Sequence, residues 1–243
     1  CDPCTTPVAD RPGTARAADG RYITWREHVI DEPALGLADL SGSDGLAMAD
    51  LDGDGIDDIV SVHESDTVYD GRPVGHVRIA WGTGDPDQWA LGTLASGPEA
   101  AAAEDVTLAD FDGDGDVDVL VACELAHLIY FDNPGRQARS AAWPRTVVPL
   151  TTHRGSYIRA FAADFDGDGR PEVAAANKGE QNPAVDDPEL RNLSLYLPPR
   201  EPLEGGLWRE QLLGPKHPHT LISMGGLGIA LAYADFHEEA ERM

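Results

Sequence analysis

An all-β chain built from repeated units of four short strands is the fold class this sequence predicts, on three observations. An acidic nonapeptide recurs, as "DLDGDGIDD" from Asp50, "DFDGDGDVD" from Asp110 and "DFDGDGRPE" from Asp164, at intervals of 60 and 54 residues. Apolar runs of five or six residues, divided by Gly, Pro and Asp, surround each copy, which is the pattern of strands. No stretch of a dozen residues keeps a 3.6-residue apolar period.

Residues 1–20 are rich in Pro, Ala, Asp and Arg without periodicity and read as a flexible lead-in; the repeats occupy 21–243. Within each unit a small-residue apolar segment enters the acidic turn: "GLAMAD", "VTLAD", "AFAAD". A β-branched run leaves it ("DIVSV", "DVLVA", "EVAAA"), followed by a third apolar segment ("HVRIAW", "HLIYF", "LSLYL"). A fourth segment carries tryptophan: "QWALGTL", "WPRTVV", "LWREQLL". Four short strands per repeat describe the blade of a β-propeller. "YITWREHVI" at 22–30 reads as an outer strand and "GIALAYAD" at 228–235 as an inner one. The expectation is therefore a partial ring, three full blades plus flanking strands, whose open edges need cover.

The 243 residues are 42% hydrophobic, ample for a core, and carry a net charge of -25 from 43 acidic and 18 basic residues. That balance argues against nucleic acid and anionic membrane surfaces as partners. No apolar run is long enough to span a bilayer. Two readings stay open for Cys1: the lipid-bearing cysteine of a processed lipoprotein, or an arbitrary start of the sequence, compatible with a Cys1–Cys4 disulfide. Cys123, in "DVLVAC", reads as a small buried residue.

The acidic turns pose a physical problem. Two like unit charges about 4 Å apart repel by roughly 4 kcal/mol at an effective dielectric of about 20. Alternate residues turned inward by glycines solve it by surrounding a cation. The first loop offers Asp50, Asp52, Asp54, the Ile56 carbonyl and Asp58. The second offers Asp110, Asp112, Asp114, the Asp116 carbonyl and Asp118, and the third Asp164, Asp166, Asp168, the Arg170 carbonyl and Glu172. That many hard oxygen ligands suit calcium, at about three sites, better than zinc or magnesium. An EF-hand needs Glu at loop position 12 and flanking helices; position 12 is Ser61, Val121 and Ala175, and the flanks are strands. A fourth copy, with Asp235, His237 and Glu239, lacks both glycines, and no metal is expected there.

The segments "ADLDGDGIDDIVSV", "ADFDGDGDVDVLVA" and "ADFDGDGRPEVAAA" resemble the FG-GAP or VCBS-type repeat family. This family comprises calcium-loop propellers that include integrin α-subunit heads and many secreted bacterial proteins. The resemblance covers roughly residues 21–236, and "WREHVI" and "IYFDNPG" are also similar to bacterial members. It implies a propeller, commonly seven-bladed, with calcium between the first and second strands of a blade, in an extracellular, periplasmic or cell-surface protein. The blade count and the degenerate fourth loop depart from the family pattern.

The second strands should end at the mouth opposite the acidic loops, with His63-Glu64, Cys123-Glu124 and Asn177-Lys178 in equivalent positions. Asp44, Glu104, His153 and Arg159 should approach the same mouth, a polar cluster of acids, bases and cations. His217 and His219 in "KHPHT" lack a third metal ligand, and Asn192 in "NLS" lies in an expected strand. No phosphate-cradling glycine loop and no nucleophile elbow is present. Two functions follow as expectations. One is a secreted or surface-bound, calcium-binding interaction module for a protein or glycan. The other is a carbohydrate lyase or dehydratase using His63, Glu124, His153 or Arg159.

Overall fold

The computed structural model describes residues 14–21, 27–36, 38, 40–65, 74–125, 127–179 and 191–212. Among the described residues twelve strands form three four-stranded sheets, each an antiparallel meander in chain order. The first holds β1 (Ser43–Ala49), β2 (Asp58–His63), β3 (His76–Trp81) and β4 (Ala90–Ser96). The second holds β5 (Ala103–Ala109), β6 (Asp118–Cys123), β7 (His127–Phe131) and β8 (Arg145–Val147). The third holds β9 (Tyr157–Ala163), β10 (Glu172–Asn177), β11 (Asn192–Leu197) and β12 (Arg209–Leu212). These are three propeller-like blades in an unclosed run, as the repeat grammar predicts.

The core lies between blades. Along β6, Val119, Val121 and Cys123 face the cluster shared with the first blade, where Val60, Val62, Val77, Ile79 and Trp81 meet them. Leu120 and Ala122 face the other cluster, with Val173, Ala175 and Tyr196 of the third blade. Side chains alternate across a strand, so a blade with neighbours on both faces needs an unbroken apolar run, and all six β6 residues are buried. Cys123 is a free thiol within this core.

The inner strands β1, β5 and β9 stand side by side without pairing into one sheet. The Ala160 amide donates to Asp105 Oδ2 and the Ala162 amide to Thr107 Oγ1, both at 3.0 Å. Side chains thus satisfy amides of the β9 edge that no strand pairs. Between β1 and β5 the approach is closer still: a Cβ on Gly45 would lie 2.7 Å from Asp105 Cα.

Two expectations need correction. The tryptophans precede the outer strands and close the turns before them: Trp143 Nε1 donates to the Ala138 carbonyl at 3.0 Å and Trp208 Nε1 to Pro202 at 2.9 Å. Trp89 Nε1 likewise donates to Pro86 at 3.0 Å. An indole buried behind a turn needs one acceptor, which a turn carbonyl supplies and a strand ladder does not. Residues 27–30 of the expected strand 22–30 form no strand. Side-chain pairing holds this segment instead, with His28 Nδ1 2.7 Å from Asp87 and the Arg78 Nε donating to Asp31 at 2.8 Å. Residues 22–26, the inner strand at 228–235, the fourth acidic copy, His217, His219, Cys1 and Cys4 lie outside the described residues. No described helix is long and apolar enough to cross a membrane.

Gly45→Ala, which sets a methyl group against the β5 backbone, is expected to destabilise the chain by about 1–3 kcal/mol in urea unfolding. Gly206→Ala, with open space around its Cβ position, is the control, expected within about 0.5 kcal/mol of the parent.

Candidate metal centres

Each acidic loop joins the first and second strands of its blade, and its path follows from its own carboxylates. Asp50 accepts the amides of Gly53, Asp54 and Gly55 at 2.9, 3.1 and 2.8 Å. Asp110 and Asp164 repeat that triple acceptance in the second and third loops. Folding the amides around one carboxylate requires positive φ at both glycines, +75° and +87° in the first loop, a conformation glycine adopts without steric cost.

The ninth position opens the second strand and is buried. Asp58 Oδ2 accepts the Leu51 amide at 2.9 Å and Oδ1 the Gly82 amide at 2.8 Å. Asp118 accepts Phe111 and Asn133 in the same way, at 3.1 and 2.8 Å, plus the Tyr130 hydroxyl at 3.0 Å. Among the described residues Glu172 accepts the Phe165 amide alone, at 2.9 Å. The residue in register with Gly82 and Asn133 is Pro198, which has no amide to donate.

The structure brings positions 1, 3 and 9 together in all three loops. Asp50, Asp52 and Asp58, then Asp110, Asp112 and Asp118, then Asp164, Asp166 and Glu172 place one carboxylate oxygen each within 4.8 Å of the others. Asp54, Asp114 and Asp168 stand outside these trios; each accepts the amide of position 7, from Ile56, Asp116 and Arg170 respectively, at 2.9 Å. The donor set is oxygen throughout, which fits a hard divalent cation such as calcium. Burial sets the local electrostatics, opposed by the backbone amides that each carboxylate accepts, with repulsion from neighbouring carboxylates a smaller addition. Burial foremost raises the carboxyls of Asp58, Asp112 and Glu172, and pushes Asp118 to about 7. Asp132, beside the second loop, rises to about 6, again mainly by burial and then by Asp112, Asp114 and Glu201.

Three residues join the loops across blades. Asn133 donates to the Leu51 carbonyl at 2.8 Å and to the Val117 carbonyl at 2.9 Å. Arg170 donates to the Phe111 carbonyl at 3.4 Å and to Pro199 at 2.8 Å. Arg139, from the turn before β8, binds Asp52 through Nε and donates from Nη2 to Asp54 Oδ2 at 2.9 Å.

At the opposite mouth the paired residues divide. Glu64, Glu124 and Lys178 gather there, while their strand neighbours point inward. His63 sits between Ser43 Oγ and Ser61 Oγ, 2.9 and 3.1 Å from its two ring nitrogens, and burial lowers its pKa. Asn177 is a turn closure, donating to the Arg154 carbonyl at 2.6 Å and accepting the Gly179 amide at 2.9 Å. All three first strands shift register where they approach this mouth, the kind of bulge that re-aims a side chain. Asp44, Glu64 and Glu104 bring carboxylate oxygens within 4.8 Å of one another. Arg159 lies 3.6 Å from Glu104, and Lys178 pairs with the buried Glu124. Burial, then Asp44 and Glu64, raises Glu104 to about 7, and burial lowers Lys178. His153, exposed with φ +57°, stands on the side of His127 rather than in this group.

Residues 50–121 match the family model described as FG-GAP-like repeat. The matched span begins at the first acidic loop and ends within β6, just past the second. No curated protein matches the chain.

The raised carboxyls give the metal-free protein a signed pH dependence. Asp118, Glu104 and Asp132 keep a proton in the folded state that the unfolded chain releases near pH 4, so stability falls as pH rises from about 4 to 7. For Asp118, at about 1.4 kcal/mol per pH unit, the upper bound is roughly 4 kcal/mol. Urea unfolding in metal-stripped buffer at pH 4.5 and 7.5 checks this; Asp118→Asn should flatten the slope, and stability rising with pH would contradict it.

Proposed function

From a chain that carries an FG-GAP-like repeat, we propose a calcium-binding β-propeller segment that works outside the cytoplasm as an interaction module for a protein or glycan. One observation carries the reading: the same oxygen-only trio recurs at the same place in three successive sheets. Calcium would be held by positions 1, 3 and 9 of each loop, with Asp54, Asp114 and Asp168 and the Ile56, Asp116 and Arg170 carbonyls beside them. There it supplies positive charge where burial and mutual repulsion disfavour ionised carboxylates. Extracellular calcium, near millimolar, suits loops of modest affinity.

The partner surface is the mouth opposite the loops. Asp44, Glu64 and Glu104 accept hydrogen bonds there, and Arg159 and Lys178 donate them. Such a mixed set recognises hydroxyls, amides and paired charges. A second reading, carbohydrate lyase or dehydratase chemistry, rests on Glu104, a carboxyl able to hold and release a proton near neutrality. It leaves His63 without an acid–base role, because both ring nitrogens are engaged by serines.

Calcium that binds only the folded chain stabilises it by about 2.7 kcal/mol per site at a free concentration of about 100 times the Kd. Thermal unfolding in calcium, in EDTA, and in calcium restored should therefore show a reversible fall of about 10 °C or more. An unchanged midpoint would remove the calcium reading. On a panel of glycans and surface proteins, Arg159→Ala should weaken binding at saturating calcium. Turnover of a glycan by the parent, lost in Glu104→Ala, would favour the enzyme instead.

A further inference from the structure

Among the described residues, the first loop differs from the other two in having a cation of the protein's own on its carboxylates. Asp52 Oδ1 accepts the Asp54 amide at 3.2 Å and Asp54 Oδ1 accepts the Ile56 amide at 2.9 Å. Their remaining oxygens, Oδ2 of each, are bound by the forked guanidinium of Arg139. All four carboxylate oxygens are thus engaged by protein donors. The guanidinium is fixed on two further sides, donating to the Gly82 carbonyl at 3.2 Å and lying 5.4 Å over the Trp81 ring. Its backbone belongs to the second blade, next to buried Ala138, whose carbonyl is tied to Trp143. The reach is 85 and 87 residues along the chain, so this is an inter-blade contact.

The second loop is built the other way. Asp112 and Asp114 make the equivalent amide bonds through one oxygen each, at 3.0 and 2.9 Å. No described lysine or arginine lies within ion-pair distance of either. In register with Trp81, one step beyond the Val119–Phe131 pair, stands Asp132, a further negative group facing Asp112 and Asp114. In the third loop Arg170 turns away from Asp166 and Asp168 to the Phe111 and Pro199 carbonyls. One loop therefore carries an arginine on its third and fifth positions, and its neighbour carries an added carboxylate.

We propose that Arg139 is the resident counter-ion of the first loop, competing with a divalent ion for Asp52 and Asp54, so that this loop binds calcium at least ten-fold more weakly than the second. The inference rests on the calcium reading above and deepens it. An ion coordinated by Asp52 sits within a few ångströms of the guanidinium, and the two positive charges repel unless Arg139 withdraws. Withdrawal gives up the Gly82 and Trp81 contacts as well. Occupancy of the first loop is thereby coupled to the seam between the first two blades. In the metal-free protein Arg139 ties the carboxylates of the first loop to the second blade; among the described residues no cation does the same for the carboxylates of the second loop.

Calorimetric calcium titration of the full chain, beside terbium luminescence sensitised by Trp81, tests this. The parent should show a tight class of sites and one weaker site, with Asp52→Asn abolishing only the weaker. Arg139→Gln should raise the affinity of that site ten-fold or more and leave the tight class unchanged, and the metal-free variant should melt below the parent. Arg139→Lys, which keeps the charge without the fork, should give a smaller gain and covers the case in which the glutamine variant fails to fold. Equal affinity at all sites in the parent, or no gain in either variant, would overturn the proposal while leaving calcium binding intact. No calcium bound by the parent or by either variant would overturn both.

Discussion

Carboxylates forced close together at the start of each second strand are the constraint on which the rest of the structure depends. Asp58, Asp118 and Glu172 are buried because they open a strand whose following residues are core. A buried acceptor must be satisfied, so each takes the amide of the loop's own second residue, Leu51, Phe111 or Phe165. That bond closes the loop and brings positions 1 and 3 against position 9. The glycines at positions 4 and 6 follow, since only a left-handed path lets three amides converge on the first aspartate. Loop geometry and strand register are therefore one arrangement, repeated three times.

The same loops connect the blades. The carbonyls of Leu51 and Phe111, at position 2, accept from Asn133 and Arg170 of the following blade. Below them the apolar faces of successive sheets meet, and along the inner strands Asp105 and Thr107 satisfy amides of β9. Polar groups thus bind the loop rim of each seam and apolar groups fill its middle. At the mouth, Glu64, Glu124 and Lys178 stand at the ends of strands that other contacts already position. A mixed cluster of charge can form there without being required for folding.

How much of this was legible in the sequence follows from distance along the chain. The acidic loops and the strands beside them are local patterns, with ligand spacing, glycine position and strand period all contained within about a dozen residues, and they emerge in the structure where the repeat places them. The mouth was legible only to within one residue. Strand alternation sends Glu64, Glu124 and Lys178 one way and His63, Cys123 and Asn177 the other, and the register shift in each first strand decides which reaches the opening. The tryptophans look like strand residues in the sequence because a large apolar side chain beside a β-branched run carries no mark of a turn. Arg139 left no local signal at all: "GRQARS" is an unremarkable polar turn, and its role exists only once the second blade is laid against the first. Asn133 had a faint one, standing two residues past the strand of "IYFDNPG", in register with Gly82 of the first blade.

If cations belong among these carboxylates, the most direct measurement is an anomalous difference map from crystals grown in millimolar calcium, collected at a wavelength where calcium scatters anomalously. The account predicts peaks bonded to Asp110, Asp112 and Asp118 and to Asp164, Asp166 and Glu172, with a weaker one at Asp50, Asp52 and Asp58 where Arg139 competes. Difference density without a peak at any of the three trios, in crystals otherwise matching this fold, would contradict it.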